Sequence, residues 1–90
     1  MRLKRFWVEF ESRPWGAMPA GVRSGVGVTA EDLPSALRLI NDRVFAGEGL
    51  PEIRLLVEDV DISTLDQNHV IPNMKPPNTR GVWFPLGYDQ

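Results

Sequence analysis

The chain has 90 residues, of which 42% are hydrophobic and 24% charged, and its formal net charge is −2. This length fits one domain, residues 1–90, and the apolar fraction predicts a globular chain rather than a disordered one. Because the sequence contains no cysteine, disulfides, cysteine-based zinc sites and thiol nucleophiles are excluded. Small extracellular domains often need disulfides, so we expect a cytoplasmic protein, and we expect no membrane-spanning segment.

Charge is unevenly distributed along the chain. Residues 1–43 carry seven basic and five acidic side chains, whereas residues 44–90 carry three basic and seven acidic ones. Six of those acids fall between Glu48 and Asp66, where Arg54 is the single basic residue. The acidic balance disfavours nonspecific nucleic-acid binding, which requires a large basic surface. An acidic surface would instead steer the approach of a basic partner.

The first third of the sequence predicts two strands. Residues 3–11 alternate, with Phe6, Val8 and Phe10 on one face, which is the pattern of a half-buried strand. Residues 12–21 contain two prolines and two glycines and predict a loop. Residues 22–28 predict a second strand, antiparallel to the first, in which two glycines indicate a bulge or a close approach of another backbone.

A single helix is predicted over residues 32–45. Its apolar residues recur at helical spacing, namely Leu33, Leu37, Ile40 and Val44, with Ala36 beside them. Asp32 is a better N-cap than Thr29, because it places Pro34 in the first turn, where no backbone donor is missed.

A third strand is predicted over residues 53–62, and residues 81–84 predict a short edge strand. Leu55–Val57 is apolar on both faces, which favours a central position in the sheet. The predicted fold is therefore α+β, a small β-β-α-β sheet with one amphipathic helix packed on one face. Its core spans residues 3–66, and a long Pro-rich C-terminal segment covers residues 67–90.

Over roughly residues 5–60, the order of elements resembles that of HicB-type antitoxin domains. The resemblance lies in the FWVEFE strand, the passage GVGVT-AEDLPSAL from strand to helix, and the strand that follows. It implies a β-β-α-β fold. A likeness in element order transfers no residue roles and no function.

The Pro-rich segment contains the main candidate site. Residues 69–86 hold four of the eight prolines, the single histidine and a Trp-Phe pair. Prolines pre-order a loop and so lower the cost of fixing it on binding. The candidate binding residues are His69, Asn73, Lys75, Asn78, Arg80 and Trp83. The favoured alternative is structural: the segment covers a sheet edge or the face without a helix, and Trp83 belongs to the core.

Three other sites are weaker hypotheses. Asp59 and Asp61 share a strand face and could bind a hard cation with Asp66 and His69, although no known metal-binding spacing is present. His69 could act as an acid or base near Ser63 or Thr64. The Arg5–Trp7 face could bind single-stranded RNA, but acids on the same face oppose it. We therefore predict no catalytic residue, no metal and no cofactor.

The sequence thus favours a non-enzymatic regulatory, accessory, antitoxin-like or immunity-like protein. It would bind a protein partner through the C-terminal loop or a sheet edge, and edge pairing into a homodimer is an alternative. The competing hypothesis is a small enzyme or ligand-binding protein with a polar pocket formed by residues 69–80.

Overall fold

The structure is a computed structural model that describes residues 2–11, 22 and 25–87. Its elements are, in chain order, β1 (Lys4–Phe10), β2 (Val26–Ala30), α1 (Leu33–Arg43), β3 (Ile53–Glu58), two 3₁₀ turns (Ile62–Thr64 and Ile71–Asn73) and β4 (Gly81–Phe84). The strands form one antiparallel sheet in the order β3-β1-β2-β4. The α+β class and the β-β-α-β order are confirmed, and the predicted loop at residues 12–21 lies outside the described residues.

Helix α1 covers one face of the sheet, mainly over β2 and β4. Phe6, Val8 and Phe10 lie in the core beneath it, as the alternation in β1 predicts. The side chain of Asp32 accepts a hydrogen bond of 2.9 Å from the Ser35 amide, which confirms Asp32 as the N-cap. This bond, with that from the Ser35 hydroxyl, holds the pKa of the Asp32 carboxyl below its ordinary value.

The opposite face is covered by residues 59–80, which we call the covering segment. Val60, Leu65 and Val70 of this segment pack on Trp7 of β1 and on Trp83 of β4. The segment begins where Asp59 adopts a positive φ of 51°, which ends β3 four residues earlier than the sequence predicts. Aspartate tolerates this left-handed conformation better than most residues. The sheet is therefore buried on both faces around Trp7 and Trp83.

Two glycines next to or within β2 make room for these indoles. A Cβ atom on Gly25 would overlap the Trp7 ring, and one on Gly27 would overlap the Trp83 ring. The rings lie close together, with centroids 6.1 Å apart and planes tilted by 31°. The pairing of β2 with β4 also shifts register between Gly27 and Val28. The glycines therefore mark both a bulge and a close approach, but the approach is by aromatic rings rather than by backbone.

The two edges of the sheet differ. Trp83 has no register partner in β2, and its carbonyl accepts a hydrogen bond of 2.9 Å from the amide of Lys75 in the covering segment. The predicted central position of β3 is wrong, because within the described residues β3 is an edge strand bordered by β1 alone. The apolar side chains on the two faces of β3 are mostly exposed, whereas a central strand would have them buried on both faces.

We predict that Gly27→Ala destabilises the fold by about 1–3 kcal/mol, since the added methyl group overpacks a filled site. Urea unfolding of Gly27→Ala, Trp83→Phe and the double variant measures this effect. The smaller ring relieves the overlap, so Gly27→Ala should cost clearly less in the Trp83→Phe background. Equal costs in both backgrounds would show that the indole does not set the requirement for glycine.

Candidate functional site

A buried hydrogen-bond chain fastens the covering segment to the sheet. The Trp83 indole Nε1 donates to the Thr29 hydroxyl at 3.1 Å, and this hydroxyl donates to the Pro77 carbonyl at 2.6 Å. Thr29 and Trp83 are almost fully buried. One hydroxyl thus satisfies a buried donor and an acceptor from two distant parts of the chain, which buried polar groups require. Trp83, a predicted binding residue, lies in the core.

Arg80 is engaged in an ion pair. Its Nε and Nη2 donate to the two carboxylate oxygens of Glu31 at 2.9 and 3.2 Å. This fork joins the end of the covering segment to the turn between β2 and α1. The Arg80 guanidinium, followed by the Ser35 hydroxyl, lowers the pKa of Glu31 from 4.5 to about 2. The main cation of the predicted site is therefore bound within the chain.

His69 and Asn73 belong to a local turn. The Asp66 carboxylate accepts hydrogen bonds from the amides of Asn68 and His69 and contacts the His69 ring at 3.2 Å. These bonds, the one from Asn68 above all, lower the pKa of Asp66. The Asn73 side chain donates to the His69 carbonyl at 2.9 Å. The structure brings His69 and Asn73 together, with the asparagine amide closing the turn.

Lys75 and Asn78 line two different surface depressions. Lys75, Arg80 and Trp83 line one of about 150 Å³. Asn78 lines another of about 240 Å³, together with Arg2, Arg5 and Asp59. Both are smaller than the roughly 300–1,000 Å³ of typical small-molecule sites. The six predicted binding residues therefore fall into three groups: His69 and Asn73 share a turn, Lys75, Arg80 and Trp83 line one depression, and Asn78 lines the other. Their binding role stays a prediction.

The acidic residues proposed as cation ligands also have local structural roles. Asp61 caps the first 3₁₀ turn by accepting from the Ser63 hydroxyl and amide, which lower its pKa. Among the residues that the structure describes, no group of three or more histidine and acidic side chains could hold a metal ion. The hydroxyl of Ser63, near which His69 was suggested to act, donates to Asp61 rather than to His69. No helix in the described part of the chain has the length and apolarity needed to cross a bilayer.

Strand β3 is a surface that the sequence reasoning missed. Ile53, Leu55 and Leu56 are 36%, 45% and 37% exposed, and they are three of the five large hydrophobic residues that are exposed in the described chain. Register places Leu56 opposite Val8 and Leu55 opposite Glu9, so the apolar residues lie on both faces. Helix α1 lies mainly over β2 and β4, and of β3 only Val57 packs on the core of the second face.

A signal of this exposure was present in the sequence. Charged residues occupy positions 52, 54, 58 and 59, in and around the strand. A strand buried on both faces is a nearly continuous apolar run, so this density of charge indicates an edge.

Comparison with models of known protein families, with curated proteins and with solved structures gives no significant match. The resemblance to HicB-type antitoxin domains therefore gains no support from relatives. Function must be argued from the geometry of this chain.

We predict that Thr29→Val costs about 2–3 kcal/mol, because it leaves the buried Trp83 indole N–H without an acceptor and removes the donor to Pro77. Thr29→Ser keeps the hydroxyl and loses one buried methyl group, for which we expect about 1 kcal/mol. Urea unfolding followed by tryptophan fluorescence compares them. A serine variant as unstable as the valine variant would mean that packing, rather than the hydroxyl, fastens the segment.

The Glu31–Arg80 pair predicts a pH dependence. The folded-state pKa of Glu31, about 2, lies below its ordinary value of 4.5. The stabilisation is therefore fully present above pH 4.5 and is lost as the pH falls through 2. Urea midpoints of the wild type and Glu31→Gln should differ near neutral pH and converge as pH falls through that window, and Arg80→Gln should behave alike. A difference that persists unchanged to pH 2 would contradict the ion pair.

Proposed function

We propose that this chain is a non-enzymatic protein-binding domain that takes up an extended segment of a partner protein as an additional strand along β3. The observation that carries the proposal is the exposed apolar edge strand itself. An edge strand presents unpaired backbone donors and acceptors, and natural proteins normally blunt such an edge or cover it. Within the described residues this edge is bordered by β1 alone, and its Ile53, Leu55 and Leu56 are exposed.

The contrast with the other edge supports the choice of β3. At β4 the Lys75 amide donates to the Trp83 carbonyl, and two prolines follow. Prolines have no amide hydrogen, so this stretch offers no further donors to another strand. The chain thus pairs part of this edge, at Trp83, with its own backbone. Strand addition at β3 would join main-chain hydrogen bonds to side-chain contacts on both faces, which is a common mode of peptide recognition.

The covering segment is less suited to bind a partner. Its cation Arg80 is paired with Glu31, and Trp83, which follows it in β4, is buried. A partner would have to break these contacts before using the groups. The geometry also weighs against the alternative of a ligand pocket in residues 69–80, since Lys75 and Arg80 share a depression that neither His69, Asn73 nor Asn78 lines.

We also propose that the protein works in the cytoplasm as a small accessory, regulatory, antitoxin-like or immunity-like protein. Support comes from the absence of cysteine, since a small domain without disulfides suits a reducing compartment.

The proposal is tested with peptides that are selected from a displayed random library for binding to the wild-type chain. The double variant Leu55→Lys/Leu56→Lys should weaken their binding at least about tenfold, because edge lysines oppose strand pairing and apolar contact is lost. Leu86→Lys is the matched control, since Leu86 is 50% exposed and lies just after β4. Fluorescence anisotropy measures affinity, and hydrogen exchange should show new protection of amides in residues 53–58.

Selection that gives no binding peptide would count against the proposal. So would peptides that bind the double variant and the wild type equally well. Because all three leucines are exposed, these substitutions should change stability by no more than about 0.5 kcal/mol each, so unfolding does not confuse the comparison.

A further inference from the structure

We infer that the segment received by β3 has an apolar centre flanked by basic residues, so that lysine or arginine side chains face the acids at the two ends of the strand. This inference rests on the proposed function and specifies its partner. It follows from the charges around the edge rather than from the edge alone.

Acidic side chains lie at both ends of β3. At its start the Glu11 amide donates to the Glu52 carbonyl at 2.8 Å, which brings the backbones of these two exposed acids together. At its end Glu58 and Asp59 are exposed. The six-residue strand is about 20 Å long. Since the Debye length is about 8 Å at physiological salt, each end attracts a basic group largely independently.

Within the described residues, cations offset the acids more at the end of β3 than at its start. Arg54, the basic residue of β3, is bound to Glu9, which also accepts from the Trp7 indole at 3.0 Å. Arg2 and Arg5 line a depression with Asp59, so they offset part of the charge at that end. Glu58 is aligned with Phe6 on the helix side of the sheet. Lys4 lies two positions along β1 on that same side, whereas Arg5 belongs to the other face.

The same charges oppose a second copy of this chain at the edge. Between residues 48 and 66 all six acids are exposed, and antiparallel self-pairing would bring two such strands together. Like charges placed opposite each other destabilise a strand pair. A partner with basic ends turns the same charges into attraction, which raises the rate of association and selects against acidic segments.

The centre of β3 favours an added strand that has apolar residues on both of its faces. Leu55 lies on the face of Trp7, and Leu56 on the face of α1, as their register partners in β1 show. Side chains of an added strand alternate between the two faces. Successive apolar residues would therefore contact Leu55 and Leu56 in turn, and basic residues would follow on both sides.

Three synthetic peptides test this inference. All three share an apolar centre of valine and isoleucine, which is flanked by lysines in the first, by serines in the second and by glutamates in the third. Anisotropy should rank binding to the wild type as lysine, then serine, then glutamate. Glu52→Lys and Glu58→Lys should each weaken the lysine peptide about fivefold, in line with one or two exposed ion pairs, and leave the serine peptide within twofold. Asp42→Lys changes net charge equally but lies on α1, so it should have less than a twofold effect.

The outcomes separate this inference from the proposed function. Suppose that the lysine and serine peptides bind the wild type equally well and that neither binds Leu55→Lys/Leu56→Lys. The edge would then remain the binding site, but the inference that the partner has basic flanking residues would be overturned. No binding of any peptide would overturn both. A concentration-dependent dimer in light scattering, abolished by the same double variant, would show that a second copy occupies the edge and would contradict the inference.

Discussion

The packing of the Trp83 indole against β2 is the contact on which the face of the sheet opposite α1 depends. The ring lies where Gly27 has no side chain, and its N–H is accepted by the buried Thr29 hydroxyl. That hydroxyl in turn donates to Pro77, so the position of one ring fixes the path of the covering segment. Trp7 and Phe84 then pack together, with ring centroids 5.7 Å apart. Such tilted aromatic contacts are favourable beyond the area that they bury.

This arrangement makes the polar residues of the covering segment structural. Arg80 is held by Glu31, the Lys75 amide borders β4, and Asn73 closes the turn around His69. The prolines complete the effect because they limit the conformations that the segment would gain on detaching. The chain thus closes one face and one edge of its sheet with its own residues. The contrast with β3, bordered by β1 alone within the described chain, is what gives the binding proposal its physical basis.

Local patterns carried most of the sequence-based prediction. Alternation predicts β1 and its buried face, the position of Pro34 favours Asp32 as the N-cap, and residues 81–84 predict the final strand, all as the structure has them. These features depend on residues close in sequence. The Glu31–Arg80 and Thr29–Trp83 contacts join residues 49 and 54 apart, and nothing in a single sequence pairs them. Strand order is equally non-local, so Leu55 and Leu56 could not be assigned to an edge from their apolarity alone.

Hydrogen exchange of the isolated chain tests the central claim, that Lys75 pairs with the β4 edge whereas β3, within the described residues, is bordered by β1 alone. We expect slow exchange at the Lys75 amide, which donates to Trp83. In β3, alternate amides that face β1 should be protected, while those facing outward exchange nearly as fast as in an unfolded peptide. Uniform protection along Ile53–Glu58 in the monomer, or rapid exchange at Lys75, would contradict it.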